Sequence, residues 1–182
     1  MKTFIETDRL YMREIVAADV HDMFELDNNA KVHKYLGNNP VQNLEKSKKI
    51  IADIRGQYER NGIGRWAVIK KESNEFLGWS GLKYEDHEIN DKQGYYDIGY
   101  RFKEKYWRKG YATESAVASL EYGFTIMNWD KICAAAQIAN VGSNKVLQKI
   151  GMKFIEEFDY RNTACNWYEL TKEEWNKQQA ST

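Results

Sequence analysis

Hydrophobic side chains along the 182-residue chain change their period several times, and each change marks an element. Residues Thr3 to Ile15 alternate, with β-branched and aromatic side chains, which predicts a first strand. Val20, Met23, Phe24 and Asp27 follow helical spacing and predict a short amphipathic helix. A second helix is predicted after Asn43, a favourable cap, because Leu44, Ile50, Ile51, Ile54 and Tyr58 share one face and Asn61-Gly62 supplies a stop. Trp66 to Lys70 and Phe76 to Tyr84 are strand-like runs joined by the hairpin segment Glu72-Ser73-Asn74-Glu75. Tyr95 to Phe102 is a third run, expected to lie antiparallel beside them.

From Thr113 the helical period returns. Val117, Leu120, Phe124 and Met127 predict a helix packed by one face onto the sheet and ended by Asn128 to Asp130. Ile132 to Ile138 is an apolar run of buried-strand length, Ser143 to Ile150 a short helix closed by Gly151, and Phe154 to Tyr160 with Cys165 to Leu170 a final hairpin. Thr171-x-x-Glu174 is a capping box that opens a terminal helix. This order predicts an α+β, or mixed α/β, fold around one central sheet. With one proline, Pro40, and no linker-like tract, residues 1–182 are read as a single domain.

Composition excludes several classes. At 42% hydrophobic and 14% aromatic the chain carries too much core-forming material to be disordered. Lys and Arg number 27, as do Asp and Glu, so no net field draws the protein to nucleic acid or to an anionic membrane, and neither is expected as a partner. No apolar run approaches a spanning helix, and Glu6 interrupts the N-terminus before any signal-like stretch, so a cytoplasmic address is expected. Cys133 and Cys165 form no C-x-x-C pair and read as reduced thiols, while His21, His33 and His87 lack ligand spacing, so no metal is expected.

Candidate chemistry concentrates in Asp97 to Ser115, DIGYRFKEKYWRKGYATES, where a strand runs through a loop with four cations, Lys103, Lys105, Arg108 and Lys109, into a helix N-terminus. Unpaired N–H groups at a helix start attract anions, so this segment suits a pyrophosphate, and Gly110 and Ala112 leave room for it to approach the backbone. An ordinary strand-to-helix turn with a solvated basic rim would carry the same features. There is neither a G-x-x-x-x-G-K-[ST] nor a G-x-G-x-x-G motif, which excludes the two familiar nucleotide loops. Gly78-Trp79-Ser80-Gly81 fails as a nucleophile elbow because position 82 is Leu82.

Trp107-Arg108-Lys109-Gly110-Tyr111-Ala112-Thr113-Glu114 resembles the acetyl-coenzyme A (acetyl-CoA) pyrophosphate loop of the GNAT superfamily, in the form found in its RimJ/RimL-like branch of N-acetyltransferases. Glu6-Thr7-Asp8-Arg9-Leu10 with Arg13 resembles the TxRLxLR opening of that branch, and Asp97-Ile98-Gly99-Tyr100 its E-I-G-Y strand. Asn140-x-x-Ser143 followed by Leu147-x-Lys149-x-Gly151-Met152 is similar to its N-x-x-S…L-x-K-x-G-F segment. The motifs keep the family's order from Glu6 to Met152, with Asp97 in place of Glu, Met152 in place of Phe, and Trp107 where the wider superfamily has Gln or Arg.

The resemblance implies a central mixed, mostly antiparallel sheet flanked by helices, and transfer of an acetyl group from acetyl-CoA to a primary amine by direct attack. It implies cofactor contacts at Arg108, Lys109, Gly110, Tyr111, Ala112 and Thr113, and at Asn140, Ser143 and Lys149. Pantetheine is expected to pair with backbone near Phe102 and Lys103, and Phe102 N–H to face the carbonyl oxygen. Asp97 and Glu85 are the candidate bases, with water as a third possibility, and Ser143 the candidate acid, although it also suits a helix N-cap. Tyr35, Trp66, Trp79 and Tyr84 are expected to shape the acceptor side. The acceptor, a protein N-terminus or a small amine, is left open, as are a monomer or homodimer state and two rivals, a non-catalytic acyl-CoA sensor and an acyltransferase for longer chains.

Overall fold

The computed structural model describes residues 3–180. Eight strands form one sheet in the order β1-β2-β3-β4-β5-β6-β8-β7: β1 Thr3–Glu6, β2 Leu10–Glu14, β3 Arg65–Lys70, β4 Phe76–Glu85, β5 Tyr95–Phe102, β6 Lys131–Gln137, β7 Lys153–Asp159 and β8 Ala164–Thr171. Every neighbouring pair is antiparallel except β5 and β6. The helices are α1 Val20–Asp27, α2 Ala30–His33, α3 Leu44–Asn61, α4 Tyr111–Glu121, α5 Val141–Lys149 and α6 Lys172–Gln179, and a π-helical turn, Tyr122–Ile126, continues α4. No described helix is long and apolar enough to cross a membrane.

Strand β3 shows why the sheet sits in the middle. Its alternation sends Trp66 and Val68 into a core shared with Ala116 and Leu120 of α4, and Ala67 and Ile69 into a second core with Met23, Leu26, Ile51 and Ile54 of α1 and α3. With both faces covered, polar residues cannot alternate there, and the strand reads as a near-continuous apolar run. Helix α3 ends as its sequence requires: the Asn43 side chain accepts from Lys46 N–H, and Gly62 closes it at φ 67°, which glycine adopts without a Cβ clash. Thr171 and Glu174 form the expected capping box on α6.

Three expectations are corrected. Thr3 to Ile15 is a hairpin rather than one strand, because Thr7 Oγ1 accepts from Leu10 N–H at 3.0 Å and turns the chain at Asp8-Arg9. Helix α2 went unpredicted; four residues give no period to read, and Asn29 holds it by accepting from Lys31 and Val32 N–H. The helix placed at Ser143 to Ile150 begins at Val141, since Asn140 is its cap and accepts from Ser143 N–H at 3.2 Å. Ser143 therefore sits inside the first turn, with its hydroxyl free for other work.

Candidate active site

Strands β5 and β6 run parallel but are joined by one bridge, Asp97 with Cys133, and then splay apart. Lys103 N–H bonds Leu77 O at 2.9 Å, so by strand alternation the odd-numbered residues of β5 bond β4. The N–H groups of Tyr100 and Phe102 are thereby turned toward the opening. Ala135, in the middle of β6, is exposed where a closed sheet would bury it. A cavity of about 670 Å³ occupies this opening, lined by Asp97, Tyr100, Ala135, Asn140 and Ser143 from its two walls and by Glu85 at the end of β4.

Just past the end of β5, the Trp107 indole donates to Phe102 O at 2.7 Å and ties the loop back to the strand. Arg108 and Gly110 both adopt left-handed backbone, φ 60° and 84°, and Gly110 is the N-cap of α4. Glycine has no side chain with which to cap a helix, so the N–H groups of Tyr111, Ala112 and Thr113 stay open to an anion. Arg108 and Lys109 are exposed beside them. The loop thus joins unpaired donors, a helix dipole and two cations.

Within the cavity the two carboxylates differ. Asp97 pairs with Arg65, which also donates to Asp97 O at 2.7 Å and to Gly81 O. Burial pushes the Asp97 carboxyl above its ordinary value, and the nearby Arg65 and Lys83 charges do not cancel the effect. Glu85 is buried too, and desolvation is the largest single influence on it, but the bond to and charge of the Lys83 ammonium together with the bonds from His87 bring it below its ordinary value. The two carboxylates are thus shifted in opposite directions, Asp97 upward and Glu85 downward. Also from β5, the Tyr100 hydroxyl reaches α5, 3.0 Å from Ser143 O and 3.2 Å from Ser143 Oγ, and burial raises the phenol.

The remaining expectations separate. Lys103 is corrected: its N–H is bonded to Leu77 O and its ammonium is held inside by Asp22 at 2.7 Å and Glu25 at 2.6 Å, so it offers pantetheine no donor. Asn140 uses Oδ1 as the α5 cap and keeps its amide N–H₂ for a ligand. Lys149 is exposed in the last turn of α5 and does not line the cavity. Tyr35 and Trp79 line the cavity, but Trp66 is buried against Phe4 and Tyr122, and Tyr84 packs on Tyr96. Tyr100 and Arg65 are additions: Tyr100 stood inside the quoted D-I-G-Y segment without a role, and nothing local marks Arg65. Glu85, Asp86 and His87 bring ligating atoms within 4.8 Å of one another, yet Asp86 and His87 are exposed and Glu85 faces Lys83, so this group reads as a surface ion-pair cluster.

Residues 9–153 match the acetyltransferase (GNAT) domain family. The chain belongs to the GNAT family. It is 31% identical over 179 residues to an uncharacterized N-acetyltransferase, YnaD, of Bacillus subtilis, which covers 94% of this chain and 99% of that one. A GNAT-family acetyltransferase structure from Bacillus anthracis superposes with a TM-score of 0.77 at 28% identity, over 93% of this chain and 99% of the other. RimL, a ribosomal L7/L12 alpha-N-protein acetyltransferase solved in complex with coenzyme A (CoA), shares the fold at a TM-score of 0.77 and 18% identity, over 93% and 98%. This GNAT protein is an acetyl-CoA-dependent N-acetyltransferase with the mixed, mostly antiparallel sheet of its structural neighbours.

Proposed function

We propose that residues 1–182 act as one N-acetyltransferase domain of the RimJ/RimL-like branch. It works in the cytoplasm, as a monomer or homodimer, and passes the acetyl group of acetyl-CoA directly to the primary amine of a peptide or small molecule. The observation that carries this reading is the splayed β5–β6 opening placed between an uncapped helix start and a cavity lined by Asp97, Glu85, Tyr100 and Ser143. The pyrophosphate rests on the N–H groups of Arg108 to Thr113, and pantetheine follows the opening past Phe102 to the Asn140 amide. Tyr100 or Phe102 N–H faces the thioester oxygen, where negative charge develops.

Asp97 takes the amine proton, directly or through one water, because it lines the cavity and burial shifts its carboxyl upward, towards a working base. Glu85 orders the acceptor entrance. The tetrahedral intermediate collapses by breaking the carbon–sulfur bond, and the departing thiolate takes a proton from the Ser143–Tyr100 hydroxyl pair. Acceptor charge also has a bias. Asp97 and Glu85 are each paired with a cation, whereas Arg161, on the cavity rim, contacts the Tyr160 ring and forms no ion pair among the described residues. That balance favours an amine that also carries an acidic group, such as a peptide, over a polyamine, which needs unpaired carboxylates.

The test is thiol release from acetyl-CoA across a panel of amines, polyamines, aminoglycosides and short peptides. Turnover with any amine supports transfer. CoA binding without turnover on every member would favour the sensing domain, and faster turnover of longer acyl-CoA an acyltransferase of another specificity.

A further inference from the structure

The N-terminal Thr7-x-Arg9-Leu10 segment has no part in the chemistry above, yet it is bonded to the phosphate loop more densely than any other element. Thr7 Oγ1 donates to Glu114 Oε1 at 2.6 Å, Arg9 N–H to the same oxygen at 3.1 Å, and Arg9 Nε to Glu114 Oε2 at 2.7 Å. Arg9 Nη2 closes the fork on Oε2 at 2.5 Å. The same guanidinium donates through Nη1 to Lys109 O at 3.1 Å and lies 4.6 Å above the Tyr111 ring. A Cβ built on Gly110 would meet Arg9 Nη2 at 3.3 Å. One side chain thus touches the loop at Lys109, Tyr111 and Glu114, about 100 residues away in sequence.

Glu114 makes this contact consequential. It lies in the first turn of α4, where its carboxylate would oppose a phosphate at the N–H groups the loop leaves open. Burial alone would raise its carboxyl, but the bonds from Thr7 and Arg9 bring it below its ordinary value, so it is ionised. A bare charge there would repel the ligand, and a carboxylate held by a cationic fork does not.

We infer that Arg9, seated by Thr7 and Glu114, is a positioning residue for the CoA pyrophosphate: it cancels the Glu114 charge and fixes the Lys109 carbonyl so that the left-handed loop presents its N–H groups outward. The inference rests on reading Arg108 to Thr113 as the phosphate site. It gives the opening motif of the chain a function in cofactor binding rather than in closing a hairpin.

Calorimetry with CoA separates these roles. Arg9→Ala leaves Glu114 unpaired and should weaken CoA about tenfold, as for loss of one partner of a charge pair. Arg9→Ala combined with Glu114→Gln removes the repelling charge and should recover about threefold of that loss. A hairpin clip makes the opposite demand, since the double variant lacks the clip as completely as the single one. A folded Arg9→Ala protein that binds CoA like the wild type, or a double variant no tighter than Arg9→Ala, would overturn the inference. Should Arg9→Ala fail to fold, Arg9→Gln keeps the length and a donor without the charge and is held to the same comparison. Gly110→Asp is the control on the underlying reading. If it binds CoA normally the phosphate site is misplaced, whereas a defective Gly110→Asp beside a normal Arg9→Ala removes only the role of Arg9.

Discussion

The phosphate loop and the acceptor cavity are built on opposite plans. The loop is eight consecutive residues, Trp107 to Glu114, whose backbone is proposed to do the binding: left-handed angles at Arg108 and Gly110, an uncapped helix start, and an indole tied back to β5. The cavity is side-chain chemistry gathered from β3, β4, β5 and α5, where Arg65 sets Asp97, Lys83 sets Glu85 and Tyr100 meets Ser143. A site made of backbone is fixed by local sequence and fails at single positions. One made of distant side chains is fixed by packing and fails by degrees.

The sharpest break of that contrast is Gly110→Asp. The position has φ 84°, which an L side chain rarely adopts, and the new carboxylate would sit at the open N–H groups. CoA affinity in calorimetry should fall by about a hundredfold or more, with the fold retained by circular dichroism. Unchanged affinity would mean that the loop does not hold the pyrophosphate.

The same contrast explains what could be read from the chain. The strand-to-helix loop, the capping box at Thr171, the Asn43 and Gly62 ends of α3 and the strand runs from Trp66 onward are local signals, and each appears where the sequence places it. The turn at Thr7 was hidden because its alternation continues through the hairpin, and only the Oγ1 bond to Leu10 N–H reveals it. Ser143 was read as suiting a helix cap; in the fold Asn140 takes that role and leaves the Ser143 hydroxyl to Tyr100. Lys103 looked like part of a basic rim, but Asp22 and Glu25, about 80 residues earlier, draw it inside. Pairings across such distances have no periodicity to announce them.

Asp97→Asn and Glu85→Gln compare the two cavity carboxylates. Removing the Asp97 carboxylate should cost about tenfold to a hundredfold in kcat/KM near neutral pH, with recovery as rising pH deprotonates the amine in solution. In the wild type, kcat/KM should fall with decreasing pH as Asp97 is protonated, and this limb lies above the ordinary carboxylate range because burial raises the group. Asp97→Asn also leaves the buried Arg65 without its counter-charge, so unfolding in denaturant should show a loss of about 1 to 3 kcal/mol. Glu85→Gln should lower kcat/KM less and leave the pH profile in place. A deficit that is flat with pH for both would remove carboxylate catalysis from the cavity.

The hydroxyl pair is expected to show a smaller effect, because either member can supply the proton. Ser143→Ala and Tyr100→Phe should each lower kcat by about three- to tenfold with little change in KM for acetyl-CoA, as for a contact that strengthens in the transition state. Because either hydroxyl can stand in for the other, the double variant should lose more than the product of the two single losses. Independent, multiplicative losses would assign them separate tasks.

The smallest expected effect tests the acceptor end of the cavity, where the contrast with the loop is most extended. Arg161 stands at φ 53° in the turn between β7 and β8, exposed, with only the Tyr160 ring beneath it. A solvated cation of this kind contributes little until a ligand meets it, so Arg161→Ala should leave kcat and acetyl-CoA KM unchanged and raise KM about threefold to fivefold for amines that carry a carboxylate. The same amines with the carboxylate amidated should be indifferent to the substitution, and added salt should shrink the difference, since an exposed pair is screened. An equal KM change for charged and amidated amines would make Arg161 a wall of the cavity rather than a reader of charge. Preference for a polyamine in the wild type would require a free carboxylate that the Arg65 and Lys83 pairings deny, and would show that one of those pairs opens when the acceptor enters.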